Sequence, residues 1–229
     1  MSNPNWLAEL PTNRLIAEYS MWSADLIRLA DDLKRIGGHA DIAHIDVADG
    51  HFAPALLFFP DLVARLRGAT SIPIHVHLMV ADAVLVEQAA QFADAGADLI
   101  SIHVENAAVA DEALELIRSR DLAAGVVLCV ETPVSACRPF LDRVDFLTLL
   151  GTAIGVKGQG LDPAATGRLH EAGALIGETG RRIVLAADGG IREHTVPLLR
   201  EAGAQTVVMG SLAFAAKDLG ERMRWLHSL

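Results

Sequence analysis

The chain has 229 residues, 52% of them hydrophobic and 21% charged, enough for one large domain with a sizeable buried core. Its net charge of −10 and pI near 5.3 argue against a nucleic-acid partner, which needs a basic face, but leave room for a small anion held by backbone N–H groups. The absence of any run of about 18 uncharged apolar residues argues against a membrane span.

The first 18 residues lack the basic stretch and apolar run of a signal peptide, so a cytoplasmic protein is expected, with residues 1–13 as an N-terminal extension. Continuous apolar runs then predict strands over 14–20, 42–47, 74–78, 99–104, 124–130, 146–150, 183–187 and 206–209. Continuous rather than alternating runs imply burial on both faces, as in a parallel sheet covered by helices. Amphipathic spacing predicts helices over 25–36, 61–67, 84–95, 111–118, 164–177, 194–202 and 216–226. Pro60 and Pro163 suit a first helical turn. Gly38, Gly96 and Gly203 each close a helix ahead of a strand, where a left-handed glycine fits.

No linker or composition break divides the chain, so residues 1–229 read as one domain. Eight strands alternating with helices favour an α/β fold, a single parallel eight-stranded (β/α)8 barrel. A doubly wound sheet usually has a glycine-rich turn after its first strand, and here that turn is Met21-Trp-Ser-Ala-Asp25. Cys129 and Cys137 do not form a disulfide framework and fit a reducing compartment.

The polar residues sit at strand ends, where a barrel carries its chemistry. Residues i and i+2 of a strand face one side, so His44 projects with Asp46, and His75 with His77. Ser20, the pair His103 and Glu105, and Asp188 end further strands. Two imidazoles and two carboxylates, His44, His77, Asp46 and Asp188, together point to a divalent metal or to proton transfer. His75 and His103 read as supporting residues and His51 as a loop residue, either facing substrate or solvated. His39, His170, His194 and His227 read as surface residues. The loop Gly151-Thr-Ala-Ile-Gly155-Val-Lys157-Gly158-Gln-Gly160, with Asp188-Gly189-Gly190 and Gly210-Ser211, exposes backbone N–H groups suited to an anion. Ser211-Leu-Ala-Phe214 suits the short helix that commonly completes a barrel's phosphate site.

At these residues the chain resembles the ribulose-phosphate 3-epimerase family, from about residue 16 to 214. The likeness lies in Ser20-Met-Trp-Ser23-Ala-Asp25, His44-Ile-Asp46-Val-Ala-Asp49-Gly50-His51-Phe52, His77-Leu-Met79, Asp188-Gly-Gly-Ile191 and Gly210-Ser211. It implies His44, Asp46, His77 and Asp188 as ligands of one divalent ion (zinc, iron, manganese or cobalt), with Asp46 and Asp188 as the catalytic acid/base pair. Ser20, His77, Met79, Gly155, Val156, Lys157, Gly158, Gly189, Gly190, Gly210 and Ser211 would contact the substrate. The implied reaction inverts C3 of a ketose phosphate, by default ribulose 5-phosphate and xylulose 5-phosphate, without an organic cofactor. A homo-oligomer is also expected, with Trp225-Leu226 as an exposed apolar face.

The chain departs from the family pattern at Ala48 and Leu150, where methionines are usual, and at Cys129-Val130 in place of Asn-Pro. Residues 153–158 differ as well. These departures point to an altered pocket and keep other ketose phosphates, such as allulose 6-phosphate or a tetrulose phosphate, as alternatives. A phosphosugar-binding regulator is a further alternative. A decarboxylase of the related phosphate-binding barrels ranks lower, because the strand-2 run has no lysine.

Overall fold

The computed structural model describes residue 3 and residues 5–229; residues 1, 2 and 4 of the expected extension lie outside the described residues. Eight parallel strands close into a barrel: β1 (Ile16–Ser20), β2 (Ile42–Asp49), β4 (Ile74–Met79), β5 (Leu99–His103), β6 (Ala123–Leu128), β7 (Phe146–Leu150), β8 (Val184–Asp188) and β9 (Thr206–Met209). Closure comes from β1, which pairs with both β2 and β9. The two-residue β3 (Leu56–Leu57) folds back antiparallel onto the end of β2.

Between the strands run α2 (Leu29–Ile36), α3 (Pro60–Ala69), α4 (Asp82–Asp94), α5 (Ala110–Ser119), α6 (Ala165–Thr179) and α7 (Val196–Glu201). A short α8 (Ser211–Phe214) and α9 (Leu219–His227) follow β9. Each longer helix buries one stripe against the sheet; α5 does so with Ala110, Ala113, Leu114 and Ile117.

The barrel interior is layered. At the bottom, Ile16, Ile42, Leu99, Ala123, Phe146 and Val184 form an apolar cluster, sealed by Trp6 and Leu7 of the short α1 (Trp6–Glu9). One side-chain step higher the interior turns polar, with Glu18, His75, Ser101 and Thr206 all buried. Gly125 belongs to this layer, because a Cβ there would lie 2.1 Å from Ser101 Oγ. The top layer carries Ser20, Asp46, His77 and Asp188. The β2–β4 register sets Asp46 beside His77 and His44 beside His75.

Several local expectations are corrected. The first strand begins at Ile16, because Arg14 turns aside to chelate Asp41 at 2.7 and 2.8 Å. α2 starts at Leu29 rather than 25, since the Asp25 carboxylate accepts the Ile27 N–H in a turn that leaves Leu26 and Ile27 exposed. β6 stops at Leu128, where the Cys129 N–H leaves the ladder for Glu105. The segment after β6 is a 3₁₀ helix, Val134–Phe140, with Pro139 inside it; it buries Val134, Cys137 and Phe140 at the threefold spacing of a 3₁₀ helix, which the 3.6-residue pattern of the other helices does not match. Gly96 and Gly203 are left-handed (φ +96° and +104°), but Gly38 is not. Pro60 opens α3, whereas Pro163 lies ahead of the cap of α6. Leu226 is fully buried and Trp225 packs on the core, so the expected apolar face at Trp225-Leu226 does not exist.

Candidate active site and metal centre

His44, Asp46, His77 and Asp188 each offer one ligand atom within 4.8 Å of the others, at the top of the barrel. Asp46 is the hub. Its Oδ2 accepts the Ser20 hydroxyl proton at 2.7 Å, while Oδ1 lies 3.1 Å from His44 Nε2 and 3.4 Å from His77 Nδ1. Asp188 Oδ2 lies 3.8 Å from the same His77 nitrogen. His77 Nδ1 is buried and has no hydrogen-bond partner among the described residues. A bare buried nitrogen facing two carboxylates is a costly arrangement unless a cation joins them. The donor set, two nitrogens and two carboxylates, fits zinc, iron, manganese or cobalt.

His44 is oriented from below. Its Nδ1 meets Glu18 Oε1 at 2.7 Å, which leaves Nε2 for the site. The same Glu18 oxygen takes His75 Nδ1 at 2.5 Å, and His75 Nε2 meets Ser101 Oγ at 2.7 Å. His75 thus lies beneath the cluster as a support. Burial would raise the Glu18 pKa, but His75 and His44 outweigh it and hold the carboxyl far below the usual range. His75 itself is pushed down to about 4, mainly by burial. His103 is also lowered to about 4, mainly by burial; its Nδ1 lies 3.0 Å from Glu105 Oε2.

The two aspartates differ in proton affinity. Burial would raise Asp46, but the adjacent His44 and His77 hold it well below the carboxylate range. Asp188 is pushed up to about 6, first by burial and then by the charge of Asp46. Neighbouring carboxylates with separated proton affinities are the arrangement in which one group accepts a proton while the other holds one.

Above the cluster opens a cleft of about 340 Å³. Every substrate-contact residue expected from sequence lines it: Ser20, His77, Met79, Gly155, Val156, Lys157, Gly158, Gly189, Gly190, Gly210 and Ser211. Gly189, at φ +88°, allows the β8 loop to pass close to the β7 loop, since a Cβ there would lie 2.3 Å from Thr152 Oγ1. Gly210 likewise leaves room for Ser23 Oγ, 2.5 Å from where its Cβ would be. Lys157 Nζ donates to the Trp22 carbonyl at 2.6 Å and sits 4.5 Å from the centroid of the Trp22 ring, bridging two sides of the mouth.

Other residues fall elsewhere. Asp49 secures its loop by accepting the backbone N–H groups of His51, Phe52 and Ala81. His51 is exposed. Ala48 lies behind the cleft wall, packed with Ala53 and with the lining residue Met79, whereas Leu150 lines the cleft itself. Sequence reasoning passed over Glu18. Its signal was a lone charge inside the apolar run Ile16-Ala-Glu18-Tyr19, which must find a buried partner. Arg192, which also lines the cleft, was missed too.

The profile of the Ribulose-phosphate 3 epimerase family matches residues 16–214. The chain belongs to this family. The ribulose-phosphate 3-epimerase of Bacillus subtilis (strain 168) is 35% identical over 201 residues, covering 87% of this chain and 92% of its own. That of Escherichia coli (strain K12) is 36% identical over 204 residues, covering 87% and 88%. Among solved structures, the orotidine 5'-phosphate decarboxylase of Pyrococcus horikoshii OT3 superposes with a TM-score of 0.64, covering 93% of this chain and 98% of that one. At 12% identity that likeness concerns the barrel alone. As a member of an epimerase family, the chain is an isomerase-type enzyme with a buried His/Asp cluster that could hold a metal. Among the described residues no helix is long and apolar enough to cross a membrane.

Proposed function

We propose that this enzyme inverts C3 of a small phosphorylated ketose, by default D-ribulose 5-phosphate and D-xylulose 5-phosphate, with Asp46 and Asp188 as its two proton carriers. The observation that carries this reading is the convergence of those two carboxylates with His44 and His77 at the base of a cleft whose rim is lined by glycines. The family relatives, named for that reaction, support it.

Removing the proton next to a ketone leaves an enediolate, whose negative charge is the main barrier. His44, Asp46, His77 and Asp188 would hold one divalent ion, which supplies Lewis-acid stabilisation of that charge. Ser20 fixes the orientation of the Asp46 carboxylate through its 2.7 Å hydrogen bond, so the Asp46 lone pairs are aimed before substrate arrives. One aspartate takes the C3 proton and the other returns one to the opposite face. Gly189, Gly190, Gly210 and Ser211 would hold the phosphate through backbone N–H groups, and no organic cofactor is needed.

A panel of ketose phosphates in deuterated water tests this: the true substrate gains deuterium at C3, and Asp188→Asn abolishes epimerisation while phosphate binding persists. Absence of exchange with every ketose phosphate, in metal-replete protein, overturns the proposal. A different ketose phosphate as substrate is the second reading, favoured by Lys157 clamped against Trp22 at the mouth of the cleft. It predicts a faster rate in the same panel with a sugar other than ribulose 5-phosphate.

A further inference from the structure

We propose that Glu105 and His103 are positioning residues that set the proton on His77, so that the His77 nitrogen facing the carboxylates is the bare one. This rests on the reading of that cluster as a metal site.

The argument follows the hydrogen bonds inward from the rim. The Glu105 carboxylate has its Oε1 occupied twice, by the Cys129 backbone N–H at 2.9 Å and by the Thr132 hydroxyl. Its Oε2 is left facing His103 Nδ1 at 3.0 Å. A carboxylate can only accept, so His103 must carry its proton on Nδ1. The Cys129 thiol, 3.6 Å from the same nitrogen, is the more distant contact. With Nδ1 protonated, a neutral His103 has a bare Nε2. That atom lies 2.9 Å from His77 Nε2, and two bare nitrogens cannot share a hydrogen bond. His77 Nε2 must therefore donate. A neutral His77 that donates from Nε2 has no proton on Nδ1, the atom that lies 3.4 Å from Asp46 and 3.8 Å from Asp188 without a hydrogen-bond partner.

The polarity of the whole line is thus decided at Glu105, two hydrogen bonds away from His77: Glu105 to His103 to His77. It delivers a lone pair, not a proton, into the cluster. Glu18 does the same for His44 in a single step, through Nδ1 at 2.7 Å. Such outer partners raise the basicity of a metal-binding imidazole and fix its ring.

Glu105→Gln is the informative variant because it keeps the shape and reverses the line. With the amide oxygen held by Cys129 N–H and Thr132, the NH2 group faces His103 Nδ1, which must now accept. His103 then carries its proton on Nε2 and donates to His77 Nε2, and His77 is driven to hold a proton on Nδ1. Zinc affinity, measured by competition with a chromophoric chelator, should fall by about 10- to 100-fold in Glu105→Gln. It should stay at the wild-type value in Glu131→Gln, which removes a nearby charge without touching the line. Nitrogen-15 spectra of the zinc-loaded wild type should show His103 protonated on Nδ1 and His77 on Nε2, a readout that does not depend on how well the variant folds. Wild-type zinc affinity in Glu105→Gln, or a proton on His103 Nε2 in the wild type, overturns the proposal. A wild type that binds no divalent ion overturns the metal reading and this proposal with it, and C3 exchange in the same preparation reports separately on the reaction.

Discussion

Glu18 shows how one residue can organise a site it does not touch. Its buried carboxylate accepts from His44 and His75 through one oxygen and faces Thr206 Oγ1 at 3.3 Å with the other. Glu18→Ala leaves two buried imidazole N–H groups without partners and should cost on the order of 3–5 kcal/mol, read from urea unfolding. At the same scale, the proton affinities predict how the cluster loads. His44 is raised well above the ordinary histidine value by Asp46 and Glu18 despite burial, and Asp188 is raised to about 6. In metal-free protein below pH 6 both groups hold protons that a cation must displace. Zinc binding should therefore release protons, and its apparent affinity should fall with pH, already above 6.5 through His44 and more steeply below about 6 once Asp188 also holds a proton, measured by calorimetry in buffers of different ionisation enthalpy. Much of this cluster was legible in sequence, because alternation in a strand places His44 with Asp46 and strand ends gather chemistry. Glu18 was not legible as a partner, since its role depends on β1 closing against β2, a pairing between residues 26 apart.

At the scale of elements, the loops at the top of the barrel interlock. The β8 loop approaches the β7 loop at Gly189 and Thr152, and the β7 loop is tied to the turn after β1 by Lys157 and Trp22. Gly189→Ala introduces a side chain at φ +88° and against Thr152, so the loops must part; about 1–3 kcal/mol of stability should be lost. Because the glycine-lined end of the cleft, the proposed phosphate site, opens, KM should rise more than kcat falls, measured by steady-state kinetics on the substrate that the ketose-phosphate panel selects. The glycines marked these loops in sequence as flexible anion-binding turns. What each glycine makes room for was not legible, because Thr152 at Gly189 and Ser23 at Gly210 meet them only once the strands are side by side. The misplaced starts of β1 and α2 have a similar cause: Arg14 and Asp25 take side-chain partners that compete with the ladder and the helix.

For the whole molecule, the barrel has a chemical end and a structural end. α1 seals the lower end, with the Trp6 ring 6.4 Å from that of Phe146. Trp6→Ala should lower stability by about 2 kcal/mol and leave turnover unchanged, since the contact lies beneath two layers of side chains. Acid should unfold the metal-free enzyme in a defined window. His75 and His103 stay neutral in the fold down to about pH 4, whereas unfolded histidines take up protons near pH 6.5. Their depressed pKa values contribute stability above the unfolded value, and that stability is lost as the pH falls from about 6.5 to 4. The His44 contribution has the opposite sign but is already complete below 6.5, so it does not offset the loss; Asp188, raised to about 6, takes up its proton in the fold first and offsets the share of one imidazole below that pH, leaving a net fall from the two histidines. Each imidazole should remove on the order of 1 kcal/mol per pH unit, visible as a falling Tm between pH 6.5 and 4.5. The architecture was the most legible level of all, because continuous apolar runs alternating with amphipathic ones leave few other ways to bury both faces of a parallel sheet.

The missing side chain at Gly125 ties three positions into one unit of inheritance. A Cβ there collides with Ser101 Oγ, and Ser101 is the group that His75 Nε2 reaches. Gly125→Ala would be harmful in this background and less so beside Ser101→Gly, which leaves only a 3.1 Å approach to Phe146 Cβ, and that second change strands one nitrogen of His75. The effects of substitutions at 75, 101 and 125 should therefore depart strongly from additivity, with the order in which they arise deciding which intermediates fold. The polar floor of the site thus constrains the order of change: the Ser101 side chain has to shrink before one can enter at 125.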